Sequence, residues 1–205
     1  KMLMEKGYKV VLFDFTGHGE SEGNDYDVTL SKSTKDLEKV IKNTIQKEET
    51  VNFLVFSYGA AVLANYLKNQ KELKVNKIIM YSPCIFPLES CFLNKESIFG
   101  KDIVEAYENG RLIEEGVVVV GAKNFKFSSK MIEDCKDLNL EYYEKKSNDI
   151  LCLSGSNDVI LDTKFNNEFC SKNNIKHIYL NASHALFEEI DKAFEYTIKY
   201  LENSY

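Results

Sequence analysis

The sequence predicts an α/β fold, with a mostly parallel sheet, helices on both faces and a small inserted cap. Two observations carry this expectation. Five short apolar runs, at residues 8–13, 51–56, 77–81, 149–154 and 176–180, alternate with segments of helical period. The runs are close to continuously hydrophobic, as strands are when both faces of a parallel sheet are covered.

Taken in order, the run 8–13 is the first expected strand. The next segment puts Leu37, Val40, Ile41 and Ile45 on one helical face, with Ser33 and Asp36 spaced as an N-cap signature. The strand 51–56 then runs into the turn Ser57-Tyr58-Gly59, and a helix rich in small residues follows through Ala60, Ala61, Leu63, Ala64 and Leu67. After the strands 149–154 and 176–180, the last helix is expected over 187–201, with Ile190, Phe194, Ile198 and Leu201 in register.

The alternation is interrupted at 83–147, which is richer in charge and less regular than its flanks. Within it, the valines 117–120, a turn over 121–124 and the residues 125–127 read as a hairpin, followed by a helix capped by Ser128 or Ser129. Residues 1–82 and 148–205 therefore read as two parts of one core, and 83–147 as an inserted cap.

Composition narrows the function. At 205 residues the chain can bury the core of one domain but is short for two. A net charge of -6, with 26 basic residues scattered among 32 acidic ones, leaves no positive stripe, so nucleic acid is not an expected partner. No apolar stretch is long enough to span a bilayer. The five cysteines are odd in number and form no C-x-x-C pair, so they read as reduced thiols in the cytoplasm. Cys152 reads as a core residue, and Cys84 and Cys91 as residues that could line a pocket.

Acyl transfer needs a hydroxyl activated by a base, a carboxylate to orient that base, and N–H donors for the developing oxyanion. Ser57 lies between a buried strand and a helix, where a tight turn would expose its hydroxyl and set the Tyr58 N–H at a helix N-terminus. Asp158 follows the fourth strand in Gly155-Ser156-Asn157-Asp158, and His184 lies between the fifth strand and the final helix. Of the three histidines, His177 falls within a strand and reads as structural. Each of Ser57, Asp158 and His184, taken singly, is a plausible cap or turn residue. Their joint placement at three strand ends, in the order Ser, Asp, His, points to a nucleophile, acid and base.

On these residues the chain resembles the α/β-hydrolase superfamily. The segment Asp14-Phe15-Thr16-Gly17-His18-Gly19-Glu20-Ser21 is similar to that superfamily's D-x-R-G-x-G-x-S loop, and Gly155 with Asp158 matches its acid loop. The nearest branch by resemblance holds serine aminopeptidase-like hydrolases, monoglyceride lipases and feruloyl (cinnamoyl) esterases; the insertion at 110–138 is similar to a feruloyl-esterase cap. The resemblance implies a serine hydrolase acting on a small carboxylic ester or acyl substrate through an acyl-serine intermediate, with the Tyr58 N–H as oxyanion donor and no metal or organic cofactor. It also implies that the cap lines the substrate pocket, where Phe86, Phe92, Phe125 and Phe127 are candidates. An amidase, peptidase or lysophospholipase with the same triad, and a catalytically impaired hydrolase-like binding protein, are the competing readings.

Three departures from the pattern carry expectations of their own. Thr16 stands where the loop usually has Arg. Val55 stands where the elbow has Gly, and a branched side chain there should crowd the turn. The strand that in this superfamily lies between the equivalents of 8–13 and 51–56, and that carries the second oxyanion donor, is expected to be missing from these 205 residues.

Overall fold

The computed structural model of the protein describes residues 1–70, 72–120 and 125–203, with the backbone alone at residue 125. The main sheet has four parallel strands in the order β1-β2-β5-β6: β1 (Thr50–Phe56), β2 (Lys74–Tyr81), β5 (Ile150–Gly155) and β6 (Lys176–Leu180). A separate antiparallel hairpin joins β3 (Val117–Val120) to β4 (Phe125–Ser128). The turn expected over 121–124 lies outside the described residues.

The helices are α1 (Met2–Glu5), α2 (Leu30–Thr44), α3 (Gly59–Leu67), α4 (Gly100–Glu108), α5 (Arg111–Glu115), α6 (Ser129–Lys136), α7 (Glu141–Lys145), α8 (Lys164–Lys172) and α9 (Ile190–Leu201). Side chains alternate across the strands, so both faces of the sheet must be covered. Ile78, Met80, Ile150 and Cys152 join one apolar cluster with residues of α2, α3 and α8. Ile79, Tyr81, Leu151 and Leu153 join another with Ala193 and Tyr200 of α9. Helices on both faces follow directly.

The segment between β2 and β5 extends the first cluster instead of building its own. Val118, Val120, Phe127, Met131, Ile132 and Tyr143 are buried in the same cluster as α2 and α3. The Tyr143 hydroxyl donates to the Ala60 carbonyl at 2.6 Å, fixing α7 against the start of α3. The α6 cap is Ser128, whose hydroxyl accepts the Lys130 N–H.

Two local expectations are corrected. Helix α2 begins a turn earlier than Ser33 implied: Thr29 is its N-cap and accepts the Lys32 N–H, while Ser33 is buried within the helix. Asp36 instead accepts the Thr16 N–H at 2.9 Å and ties the 14–23 loop to α2. The final helix also divides, with a 3-10 turn at Phe187–Glu189 ahead of α9.

The larger correction is at 8–13, which forms no ladder. Beyond Tyr8, none of these residues makes a backbone–backbone hydrogen bond among the described residues, and Leu12 is 88% exposed. A strand exists only where a neighbour takes its N–H and C=O groups. Here a groove of about 750 Å³ separates the segment from β1, lined by Val10, Val11 and Leu12 on one side and Val51, Phe53 and Leu54 on the other. β1 is therefore an edge strand, bonded to β2 alone. No helix among the described residues is long and apolar enough to cross a membrane.

Candidate active site

The parallel register sets the carboxyl ends of β1, β2, β5 and β6 side by side: Phe56 pairs with Tyr81, Tyr81 with Leu153, and Gly155 with Leu180. Ser57, Asp158 and His184 follow three of those ends and meet. His184 Nε2 lies 2.8 Å from Ser57 Oγ, and His184 Nδ1 lies 2.7 Å from Asp158 Oδ2. A carboxylate can only accept, so Nδ1 carries the proton and Nε2 is left to accept from the serine hydroxyl.

Ser57 is held in a strained conformation, with φ at 50°, where a non-glycine residue costs on the order of 1–3 kcal/mol. Three backbone hydrogen bonds hold it there. Its N–H donates to Tyr81, and its carbonyl accepts from Ala60 and from Cys84. The next residue, Tyr58, caps α3, and its N–H makes no hydrogen bond among the described residues. The crowding expected from Val55 does not arise. Val55 packs over Gly59, and even a Cβ added at Gly59 would sit 3.8 Å from Val55 Cβ, an ordinary contact.

Asp158 has a side chain fully removed from solvent and a full set of partners. Oδ1 accepts the N–H groups of Ile160 and Leu161 at 2.8 and 3.0 Å, and Oδ2 faces the imidazole. Turn chemistry and imidazole orientation are thus performed by the same carboxylate. The loop carrying His184 is fastened to the acid loop through Asn157 N–H to the Ala182 carbonyl, and Ser183 is fixed by Glu188. Gly155 makes this approach possible: a Cβ there would lie 2.4 Å from the carbonyl oxygens of both Ala182 and Ser183.

Sequence reasoning missed several supports. Phe56 packs against the His184 ring at 5.1 Å, and its position beside the serine was the available signal. Glu188 and the Cys84 N–H gave none, because they act through loop geometry. Burial pushes the Cys84 thiol well above its usual value, so it stays a neutral neighbour of the serine turn. The Tyr58 phenol is likewise raised, mainly by burial, and its hydroxyl contacts Met131.

Of the phenylalanines expected to line a pocket, Phe86, Phe92 and Phe127 pack against other aromatic rings, with Phe86 and Phe92 half-buried. Phe127 is buried and meets Phe92 edge-to-face at 4.8 Å, and Phe86 packs against Phe165 and Phe169. These rings complete the apolar cluster between sheet and insertion, where burying an aromatic gains more than exposing it. The side chain of Phe125 lies outside the described residues. Cys84 and Cys91 are buried. In the 14–23 loop, Gly19 has positive φ and lies against the Asp14 carboxylate, which accepts the Glu20 N–H. His18 is exposed, and among the described residues its ring makes only a long contact to the Thr16 carbonyl.

The same framework recurs in solved structures. A monoacylglycerol lipase from Paleococcus ferrophilus is 20% identical, with 91% of this chain and 79% of that one covered and a TM-score of 0.56. Est1E from Butyrivibrio proteoclasticus, solved with ferulic acid bound, is 14% identical over 92% of this chain and 76% of that one, with a TM-score of 0.65. An esterase from Exiguobacterium antarcticum is 20% identical over 92% and 80%, with a TM-score of 0.62. At these identities the likeness is one of fold. No curated protein matches the chain. The family model described as serine aminopeptidase, S33, matches residues 1–191. That match spans nearly the whole chain, which thus belongs to the serine aminopeptidase S33 family and is a hydrolase of the α/β-hydrolase fold.

Proposed function

We propose that the protein hydrolyses a small carboxylic ester or related acyl substrate through an acyl-Ser57 intermediate. The observation that carries this reading is the continuous hydrogen-bonded line from Asp158 through His184 to Ser57. Ser57 Oγ attacks the substrate carbonyl carbon while His184 Nε2 takes its proton. Charge builds on the carbonyl oxygen, and the Tyr58 N–H at the start of α3 donates to it. Collapse expels the alcohol, which leaves with the proton held on Nε2.

Water then repeats the sequence. His184 deprotonates it, the hydroxide attacks the acyl carbon, and Ser57 Oγ departs and recovers its proton. Asp158 holds the tautomer throughout and stabilises the transient imidazolium. Neither half of the cycle requires a metal or an organic cofactor. An ester is favoured over an amide because neighbours of the same fold include a lipase, an esterase and a protein with ferulic acid bound. The five free, buried cysteines suit a reducing compartment, and we assign the protein to the cytoplasm on that ground.

A fluorophosphonate probe should label the protein once, and turnover of p-nitrophenyl butyrate should fall by on the order of 10⁴ to 10⁶ in Ser57→Ala. Equal labelling of Ser57→Ala would overturn the assignment. Turnover of p-nitroanilides at a higher kcat/KM than the matching esters would move the substrate class to amides.

A further inference from the structure

We propose that Cys152, Cys170 and His177 form a structural site for a single zinc ion. The three come from three elements. Cys152 of β5 and His177 of β6 are register partners on adjacent strands, and Cys170 of α8 closes over the face that bears Cys152. Both sulfurs and a ring nitrogen of His177 lie within 4.8 Å of one another. The centre of such a triangle is at most about 2.8 Å from each atom, against bond lengths of about 2.3 Å to sulfur and about 2.0 Å to nitrogen. A contraction of at most about 0.5 Å at sulfur and about 0.8 Å at nitrogen reaches bonding distance.

A second observation points independently to a ligand. His177 Nδ1 is sealed from water and has no hydrogen-bond partner among the described residues. Its other nitrogen, Nε2, lies 2.9 Å from the buried Ser154 hydroxyl. With Nε2–H donated to Ser154, the buried Nδ1 is an acceptor with nothing to accept, an arrangement that a cation satisfies. A metal-bound histidine has this same arrangement, with one nitrogen on the ion and the other held by a hydrogen bond.

The donor set and the surroundings select the ion. Two thiols and an imidazole are soft-to-borderline donors suited to zinc, not to magnesium or calcium. Binding releases two thiol protons to solvent, and two thiolates with Zn²⁺ leave a neutral complex. A monovalent ion would leave a net negative charge among buried apolar side chains, which is costly. The site would fasten α8 to β5 and β6, the strands that lead to Asp158 and His184, without entering the reaction.

Cobalt titration of the reduced full chain tests this without reference to turnover, so failure would leave the Ser57 assignment untouched. One equivalent of Co²⁺ should produce a thiolate-to-cobalt charge-transfer band, and Zn²⁺ should abolish it. Excess Zn²⁺ at a hundred times its Kd should raise Tm by about 5–10 °C. Cys170→Ser and His177→Gln should each weaken Zn²⁺ binding about a hundredfold or more, and Cys135→Ser should leave it unchanged. Absence of the band in the wild-type chain would overturn the proposal, whatever the variants do. So would a band that persists in Cys170→Ser, or a Cys152–Cys170 disulfide that reforms in the reduced protein and leaves three titratable thiols.

Discussion

β5 and the segment 8–13 are written in similar residues and end in opposite conditions. Ile150–Gly155 is buried at every position and bonded on one side to β2 and on the other to β6. Residues 8–13 are comparably apolar, yet they have no ladder and expose Leu12 almost completely. β1 stands between these extremes, with one ladder and with Leu54 and Phe56 41% and 46% exposed. Hydrophobic sequence thus supplies the capacity to be a strand, and backbone neighbours decide whether that capacity is used.

The contrast divides the candidate active site. Asp158 and His184 stand on a closed side, where β5 is bonded on both sides and the loop after β6, itself an edge strand like β1, is hydrogen-bonded to the acid loop. Ser57 follows the half-open strand, and its strained turn is held by Tyr81 and Cys84, both from β2 or just beyond it. Beyond the loss of the nucleophile itself in Ser57→Ala, the largest expected effect is therefore on the closed side, in Asp158→Asn. Asparagine keeps the shape but can present an N–H to Nδ1, which favours the wrong imidazole tautomer and lowers kcat by about 10⁴. Pre-steady-state and steady-state p-nitrophenyl butyrate kinetics measure it. A fall of less than tenfold would mean that Asp158 does not set the His184 tautomer.

The second effect is on stability. Leu153 is fully buried between β2, β6 and α9, so Leu153→Ala loses transfer energy and leaves a cavity, at a cost of about 2–5 kcal/mol. Urea unfolding followed by far-UV circular dichroism reads this as a lower midpoint at unchanged slope. A loss under about 1 kcal/mol would erase the distinction between the two halves.

Legibility in the sequence did not follow that division, since the expected strand 51–56 falls only one residue short of β1. The expected strand 176–180 matches β6, and the expected strand 149–154 is displaced by one residue from β5, because both are β-rich runs bounded by turn residues. The positions of Ser57, Asp158 and His184 at strand ends follow from the same boundaries. What failed was whatever depended on partners distant in the chain. Composition cannot tell whether 8–13 has a neighbour, nor that Phe127 packs edge-to-face on Phe92. Residue type favours Ser33 over Thr29 as a cap, yet Thr29 takes the Lys32 N–H while Ser33 is buried within the helix. Cys152, Cys170 and His177 have no regular spacing, so their convergence becomes visible only when a sheet register and a helix are placed together.

The smallest expected effect closes the comparison. Leu12→Ala removes the same atoms as Leu153→Ala, but from a side chain 88% exposed, whose truncation costs little because there is little burial to lose. Its unfolding free energy should stay within about 0.5 kcal/mol of the parent. The measurement is best made at two protein concentrations a hundredfold apart, because an unbonded apolar segment beside the edge strand β1 is a surface on which chains can pair. Agreement at both concentrations keeps 8–13 as the open counterpart of β5. A loss above about 1.5 kcal/mol at both would mean that Leu12 is buried within the single chain in solution. A loss that appears only at the higher concentration would mean that its burial comes from association. In either of the last two cases the difference between the two regions would lie in which backbone partner each one finds, and not in whether it finds one.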